Sequence, residues 1–150
     1  MSPVRVGDPA PPFKAAGTGD RVYSLDDYRG QPVVLVFYPG DATPVCTAQL
    51  SSYNEGLGAL SQLNAQVLAI SPQDVESHEQ FSADHGFAFP LLYDEERKIG
   101  EAYDVLGPLG FYRRSVFVVD GEGILQYVNR GMAGLSYPSV DDITKAVQAL

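Results

Sequence analysis

The architecture of this chain follows from residues 32–46, which read PVVLVFYPGDATPVC. The first seven form an apolar, β-branched run that predicts a buried central strand. A Pro-Gly pair then ends the strand. Thr43 is a good helix N-cap, and Pro44 suits the first helical position because an N–H there would have no partner. These residues therefore predict a buried strand that leads directly into a helix.

Cys46, the only cysteine among the 150 residues, falls in the first turn of that helix. Unpaired backbone N–H groups and the positive end of the helix dipole converge there. Such a setting lowers a thiol pKa from about 8.5 to roughly 3.5–7.5. We therefore expect an anionic, partly exposed sulfur that acts as a nucleophile. The alternative is a buried and inert thiol, which is the commoner state of a lone cysteine.

The charge balance excludes several classes of partner. Ten Lys and Arg residues against 19 Asp and Glu residues give a net charge of −9. Nucleic acids and anionic membrane surfaces need clustered basic residues, so we expect neither as a partner.

No apolar run approaches the roughly 20 residues of a membrane span, and the first eight residues lack a signal-peptide core. The length and an apolar content of 45% suit a single domain over residues 1–150. Since one cysteine forms no internal disulfide, we expect this domain in the reducing cytoplasm.

Hydrophobic periodicity and turn signals divide the rest of the chain into alternating strands and helices. The predicted elements are short strands near Phe13 and Val22, a helix over 44–63 weakened by Gly56 and Gly58, a strand over 66–70, a helix opened by Ser71 and ended by Gly86, an extended segment over 89–92, a helix over 95–103, a hairpin of 115–119 with 124–128, and a last helix capped by Ser139. The strand–helix–strand start favours parallel pairing, and the hairpin is antiparallel. The predicted fold is therefore α/β and thioredoxin-like, with a mixed central β-sheet flanked by helices on both faces.

The residues around Cys46 resemble those of the peroxiredoxins. Residues 39–46 match the pattern Pro-x-x-x-Thr-x-x-Cys of that family, and residues 37–47 look like its bacterioferritin comigratory protein, or peroxiredoxin Q, branch. Residues 114–120, RSVFVVD, are similar to the Arg-x-x-Phe-x-x-Asp strand of the same branch. The order of predicted elements also agrees, so the resemblance covers nearly the whole chain and implies an AhpC/TSA-type domain.

The resemblance implies roles for four residues. Cys46 is the implied peroxidatic nucleophile, and Arg114 is implied to stabilise its thiolate and to polarise the peroxide. Thr43 is implied to offer its hydroxyl to the sulfur and the peroxide, and Pro39 to shield the sulfur from solvent. Donors placed where negative charge develops lower the barrier for attack on an O–O bond. The implied reaction reduces hydrogen peroxide or an alkyl hydroperoxide through a sulfenic acid and requires no cofactor or metal.

The chain departs from that branch at Ser51. Many members have a second cysteine five residues after the first, and here that position is serine. Recycling must then come from an external thiol, which is thioredoxin, glutaredoxin or a low-molecular-weight thiol. The sequence predicts a one-cysteine peroxiredoxin, a monomer or weak homodimer that serves antioxidant defence. The rival interpretation is a thioredoxin-like redox-sensing or binding module in which slow oxidation of Cys46 regulates a partner.

Other polar residues receive ordinary interpretations. Arg113 is expected in solvent because adjacent strand residues point to opposite faces, and Gln49 is equally compatible with the site or with solvent. His78 and His85 complete no metal set and are interpreted as ordinary helix residues. The acidic clusters are interpreted as solvated faces and helix starts, and they lie at 26–27, 94–96 and 141–142.

Overall fold

A mixed, seven-stranded sheet runs through the computed structural model, which describes residues 3–131 and 137–150. Its strands are β1 (Lys14–Gly17), β2 (Arg21–Ser24), β3 (Val33–Phe37), β4 (Gln66–Ser71), β5 (Leu91–Tyr93), β6 (Ser115–Val119) and β7 (Leu125–Arg130). Their order across the sheet is β2-β1-β5-β4-β3-β6-β7. Strand β3 pairs in parallel with β4 and antiparallel with β6, so the predicted central strand joins both kinds of pairing.

Helices cover both faces of this sheet. They are α1 (Pro44–Glu55), α2 (Leu57–Gln62), α3 (Val75–His85), α4 (Lys98–Ala102) and α5 (Val140–Gln148), with 3₁₀ turns at Leu25–Tyr28, Glu95–Arg97 and Pro108–Gly110. The predicted thioredoxin-like arrangement is confirmed. No helix in the described part of the chain has both the length and the apolar character needed to cross a bilayer.

Strand β3 divides the core because its side chains alternate between the two faces of the sheet. Val34 and Val36 pack with apolar residues of α1, α2, α3 and α5. Leu35 and Phe37 pack on the other face, with Ile99 of α4 and the N-terminal segment. Every residue of β3 is buried, as expected of a strand covered on both sides.

The predicted helix over 44–63 is divided at Gly56. Helix α1 ends before this residue and α2 begins after it. A Cβ atom at Gly56 would lie only 2.5 Å from a Cγ atom of Val140 in α5. The weak helix propensity of glycine predicted a bend here, and the structure adds the reason for glycine, which is the close approach of α5.

Two helix starts test the predicted caps. Ser139 caps α5, as predicted, in a capping box with Asp142. The predicted Ser71 cap is wrong, because Ser71 ends β4, and Asp74 caps α3 by accepting a hydrogen bond from the Ser77 N–H. Pro72 and Gln73 instead form the connection between the end of β4 and the cap of α3.

The expected solvated face at 94–96 is wrong for Asp94, whereas the two glutamates that follow are exposed. The buried Asp94 carboxylate accepts hydrogen bonds from the backbone N–H groups of Ile99 and Gly100 and from the Tyr112 hydroxyl. It therefore ties α4 to the segment that leads into β6. Arg113 is half-buried rather than solvated, and its guanidinium donates to the carbonyl of Asp104 at 2.8 Å.

Candidate active site

Cys46 is the third residue of α1, at the position that the sequence predicts. Thr43 occupies the N-cap with extended backbone angles, and Pro44 opens the helix. The thiol is completely buried, however, rather than partly exposed. It packs in the apolar layer that includes Tyr38 and Leu50, so the helix-start position does not by itself expose the sulfur.

Arg114 reaches the buried sulfur from the segment that leads into β6. It immediately precedes this strand, whose first residue, Ser115, pairs with Phe37 at the end of β3. This pairing brings the guanidinium across to α1, where Nη1 lies 3.1 Å from Cys46 Sγ. Arg114 is only 4% exposed, which excludes the surface arginine that an isolated strand residue would suggest. A charge-assisted donor in a water-poor site stabilises negative charge on a sulfur or on a neighbouring oxygen.

Gln49 lies in the site rather than in solvent, which decides between the two expectations for this residue. Its Oε1 accepts a hydrogen bond of 2.9 Å from the same Nη1 of Arg114, and its Nε2 donates to the Tyr53 hydroxyl. Because the glutamine is neutral, it orients the guanidinium without neutralising its charge.

Tyr53 is a site residue that the sequence analysis did not identify. Its hydroxyl accepts from Gln49 and donates to the carbonyl of Pro138 at 2.6 Å. Burial raises the pKa of Tyr53 above its ordinary value, so the phenol stays protonated and can donate. The spacing of 46, 49 and 53 places all three residues along one side of α1, and this was the available signal.

Thr43 and Pro39 both lie in the loop that precedes α1. Thr43 is exposed, and its hydroxyl donates a long hydrogen bond of 3.4 Å to the carbonyl of Gly40. Pro39 is half-buried, two residues beyond the end of β3. Their implied roles toward the sulfur and the peroxide stay predictions. Between them, Ala42 has a positive φ of 62°, a left-handed conformation that is unfavourable for a residue with a side chain.

A second polar cluster lies beside the same loop. The Asp41 carboxylate accepts hydrogen bonds of 2.7 Å from both the Tyr38 and Ser77 hydroxyls, and it lies 2.8 Å from His78 Nδ1. Burial acts to raise the pKa of Asp41, but the hydrogen bonds from His78, Tyr38 and Ser77 outweigh it and lower the pKa below its ordinary value. Burial, followed by the negative charge of Asp41, raises the pKa of Tyr38 well above its usual value.

His78 and His85, both interpreted as ordinary helix residues, differ in their surroundings. His78 is completely buried, whereas His85, seven residues later on the same helix, is exposed. The sequence offered one weak sign that His78 would be buried, which is the face of α3 that it shares with Phe81. Within the described ranges, no three His, Cys, Asp or Glu side chains come together as a metal ion would require.

Comparisons with known proteins agree with this geometry. The model of the AhpC/TSA family matches residues 6–128. Peroxiredoxin Bcp of Bacillus subtilis is 35% identical over an alignment of 130 residues that covers 81% of this chain and 82% of that protein. The chloroplastic peroxiredoxin Q of Oryza sativa subsp. japonica is 35% identical over an alignment of 129 residues that covers 83% of this chain but only 58% of that protein.

Solved structures give the same result. A cysteine-to-serine mutant of PrxQ from Xylella fastidiosa has a TM-score of 0.91 and 28% identity, covering 99% of this chain and 98% of its own. Bacterioferritin comigratory protein of Xanthomonas campestris, studied for alkyl peroxide reduction, has a TM-score of 0.84 and 29% identity. That match covers 91% of this chain and 90% of the other.

Proposed function

The chain belongs to the AhpC/TSA family and is a peroxiredoxin, a thiol-dependent peroxidase, and from this premise we propose a one-cysteine catalytic cycle carried by Cys46. The substrate is hydrogen peroxide or an alkyl hydroperoxide. The similarity to a protein studied for alkyl peroxide reduction supports the second substrate class. The product at the enzyme is a sulfenic acid, which an external thiol reduces.

In the first step the Cys46 thiolate attacks one peroxide oxygen in line with the O–O bond. A sulfur–oxygen bond forms while the O–O bond breaks, and the second oxygen leaves as hydroxide or alkoxide and takes up a proton. Negative charge moves from sulfur to the leaving oxygen during this step. The buried guanidinium of Arg114 stabilises that charge, and Gln49 keeps the guanidinium directed at the sulfur.

The second half of the cycle restores the thiol. A first external thiol condenses with the sulfenic acid, which releases water and forms a mixed disulfide. A second thiol attacks that disulfide and leaves Cys46 reduced. The balance is one hydroperoxide and two thiols converted to one alcohol or water, one further water and one disulfide. Since the sequence has one cysteine, the reductant must be thioredoxin, glutaredoxin or a small thiol.

A cycle that ends in a free thiol requires reducing surroundings, so we place this activity in the cytoplasm. The cycle needs only one chain, and a monomer or weak homodimer is sufficient for it. In the same scheme, Thr43 orients the peroxide and Pro39 limits access of water to the sulfur.

The observation that carries the proposal is the 3.1 Å contact between Arg114 Nη1 and the single thiol of the chain. A buried, inert cysteine needs no cationic donor, and taking a guanidinium out of water is costly unless it is well paired. The contact therefore favours a sulfur that carries or transfers negative charge.

Rapid mixing of the reduced protein with one equivalent of hydrogen peroxide tests the proposal. The reaction is quenched into a sulfenic-acid trap, and the intact mass is measured. We expect one adduct, at Cys46, formed orders of magnitude faster than with free cysteine, and none in Cys46→Ser. Labelling at the rate of free cysteine would contradict the peroxidase and favour the redox-sensing or binding module.

A further inference from the structure

A buried histidine connects the loop before Cys46 to the body of the fold. His78 lies on α3 and Asp41 in the loop at 39–43, which makes them 37 residues apart in sequence. His78 Nδ1 is 2.8 Å from Asp41 Oδ2, and the two side chains are 0% and 3% exposed. The proposed chemistry at Cys46 does not itself use this pair.

The ring nitrogens of His78 both face oxygen acceptors. Nε2 lies 2.9 Å from the carbonyl oxygen of Leu92 in β5, and a carbonyl oxygen can only accept. Nδ1 faces the Asp41 carboxylate, whose hydrogen bonds favour its charged form. His78 therefore bridges the loop and a strand of the central sheet through contacts at both of its ring nitrogens.

The loop needs such a connection because the backbone conformation of Ala42, the residue after Asp41, is unfavourable. Ala42 has a φ of 62°, and such a conformation persists only where the surroundings enforce it. The Asp41 carboxylate is held by donors from two directions, the Tyr38 hydroxyl at the end of β3 and the Ser77 and His78 side chains on α3. The far end of this loop is the first turn of α1, which carries the sulfur.

We propose that His78 is a positioning residue for peroxide reduction, which through Asp41 holds the loop so that the Cys46 sulfur stays against Arg114. The inference rests on the proposed function, since it concerns the rate at which Cys46 reacts with peroxide. His78 touches neither the sulfur nor the substrate, and its effect passes through the Asp41 carboxylate.

Two amide substitutions distinguish the contact at Nδ1 of His78 from the contact at Nε2. The amide of His78→Asn lies near the position of Nδ1, so this variant keeps a donor to Asp41 and loses the donor to Leu92. The longer amide of His78→Gln reaches toward the position of Nε2, so it keeps Leu92 and loses Asp41. Each variant loses one buried hydrogen bond, and a purely structural role predicts similar effects on rate and stability.

The measurement is the second-order rate of Cys46 oxidation by hydrogen peroxide, followed by stopped flow, together with the thermal midpoint of each variant. We expect His78→Gln to be slower than the wild type by about ten- to a hundredfold, since a charged group loses one buried partner. We expect His78→Asn to stay within about threefold of the wild type at a similar thermal midpoint. His85→Gln, an exposed change on the same helix, is the matched control and should leave the rate unchanged.

A double-mutant cycle with Asp41→Asn completes the test. We expect the double variant with His78→Gln to be no slower than the slower single variant, because both remove the same connection. If His78→Gln does not fold, Ser77→Ala removes another donor from the same carboxylate and should also slow oxidation.

Equal rates for the Asn and Gln variants, with a fast wild type, would overturn this inference and leave the proposed function intact. Rates that merely follow the thermal midpoints would overturn it as well. A wild type that reacts no faster than free cysteine would overturn the proposed function and this inference together.

Discussion

Replacing Arg114 with methionine removes the cation from the sulfur while keeping most of the side-chain volume. In the folded chain Nη1 of this residue lies 3.1 Å from Cys46 Sγ and 2.9 Å from Gln49 Oε1. The substitution therefore removes a donor to the sulfur and also leaves the glutamine oxygen without this partner. Because the side chain is 4% exposed, water cannot readily substitute for the guanidinium.

The expected size of the effect follows from the short distance and the burial. Two unit charges at this separation attract by about 5 kcal/mol at an effective dielectric constant of about 20. Only the part that is larger in the transition state than in the reduced enzyme changes the rate. Donors aimed at developing negative charge contribute roughly 10²- to 10³-fold, or about 2.7–4 kcal/mol. We therefore expect Arg114→Met to slow oxidation of Cys46 by about 10²- to 10³-fold.

Stopped-flow measurement of the second-order rate with hydrogen peroxide checks this value. Arg114→Lys should fall between the wild type and the methionine variant, because it keeps the charge but not the planar set of donors. Arg113→Met is the matched control, since its guanidinium donates to Asp104 rather than to the site. A rate for Arg114→Met within about threefold of the wild type, in a protein that melts normally, would refute the assigned role.

Four further substitutions test the packing, the loop and the missing second thiol. Gly56→Ala should lower the free energy of unfolding in urea by about 1–3 kcal/mol, because its Cβ would lie 2.5 Å from a side chain of α5. Gly58→Ala has no atom within 4 Å of its Cβ and should instead gain up to about 1 kcal/mol. The lowered pKa of Asp41 contributes stability above about pH 4 that is lost as the pH falls through the folded pKa, so Asp41→Asn should show a shallower acid-induced loss in unfolding titrations. Ser51→Cys should form a disulfide with Cys46 only with loss of helical circular dichroism, since positions five apart in α1 are separated by about 8.6 Å and disulfides rarely span more than about 7 Å.

Local patterns account for the parts of the fold and site that the sequence predicted. The apolar run of β3, the Thr43 cap, the Pro44 start and the position of Cys46 all depend on neighbouring residues. The structure reproduces the strand, the Pro44 start and the position of Cys46, and it places Thr43 at the N-cap without a side-chain capping hydrogen bond. The Ser71 cap failed for the same kind of reason, because Asp74 is an equally good cap three residues later and lies closer to the helix.

Contacts between distant residues account for what the sequence did not predict. Tyr53 donates to a carbonyl 85 residues away, and His78 meets Asp41 across 37 residues. No periodicity within one helix identifies such partners. Arg114 was placed in the site only through its family resemblance, since an isolated strand arginine is usually exposed.

The contact between Cys46 and Arg114 also links chemistry to synthesis and folding. The two residues are 68 positions apart, and the arginine reaches the sulfur only after β6 has paired with β3. A ribosome makes the N-terminal part first, so a nascent chain presents its thiol before the guanidinium exists. Unfinished or misfolded copies therefore carry an ordinary thiol. In the proposed mechanism, peroxide reactivity is therefore a property that only completely folded molecules acquire, which spares chains still being synthesised from oxidation by the substrate.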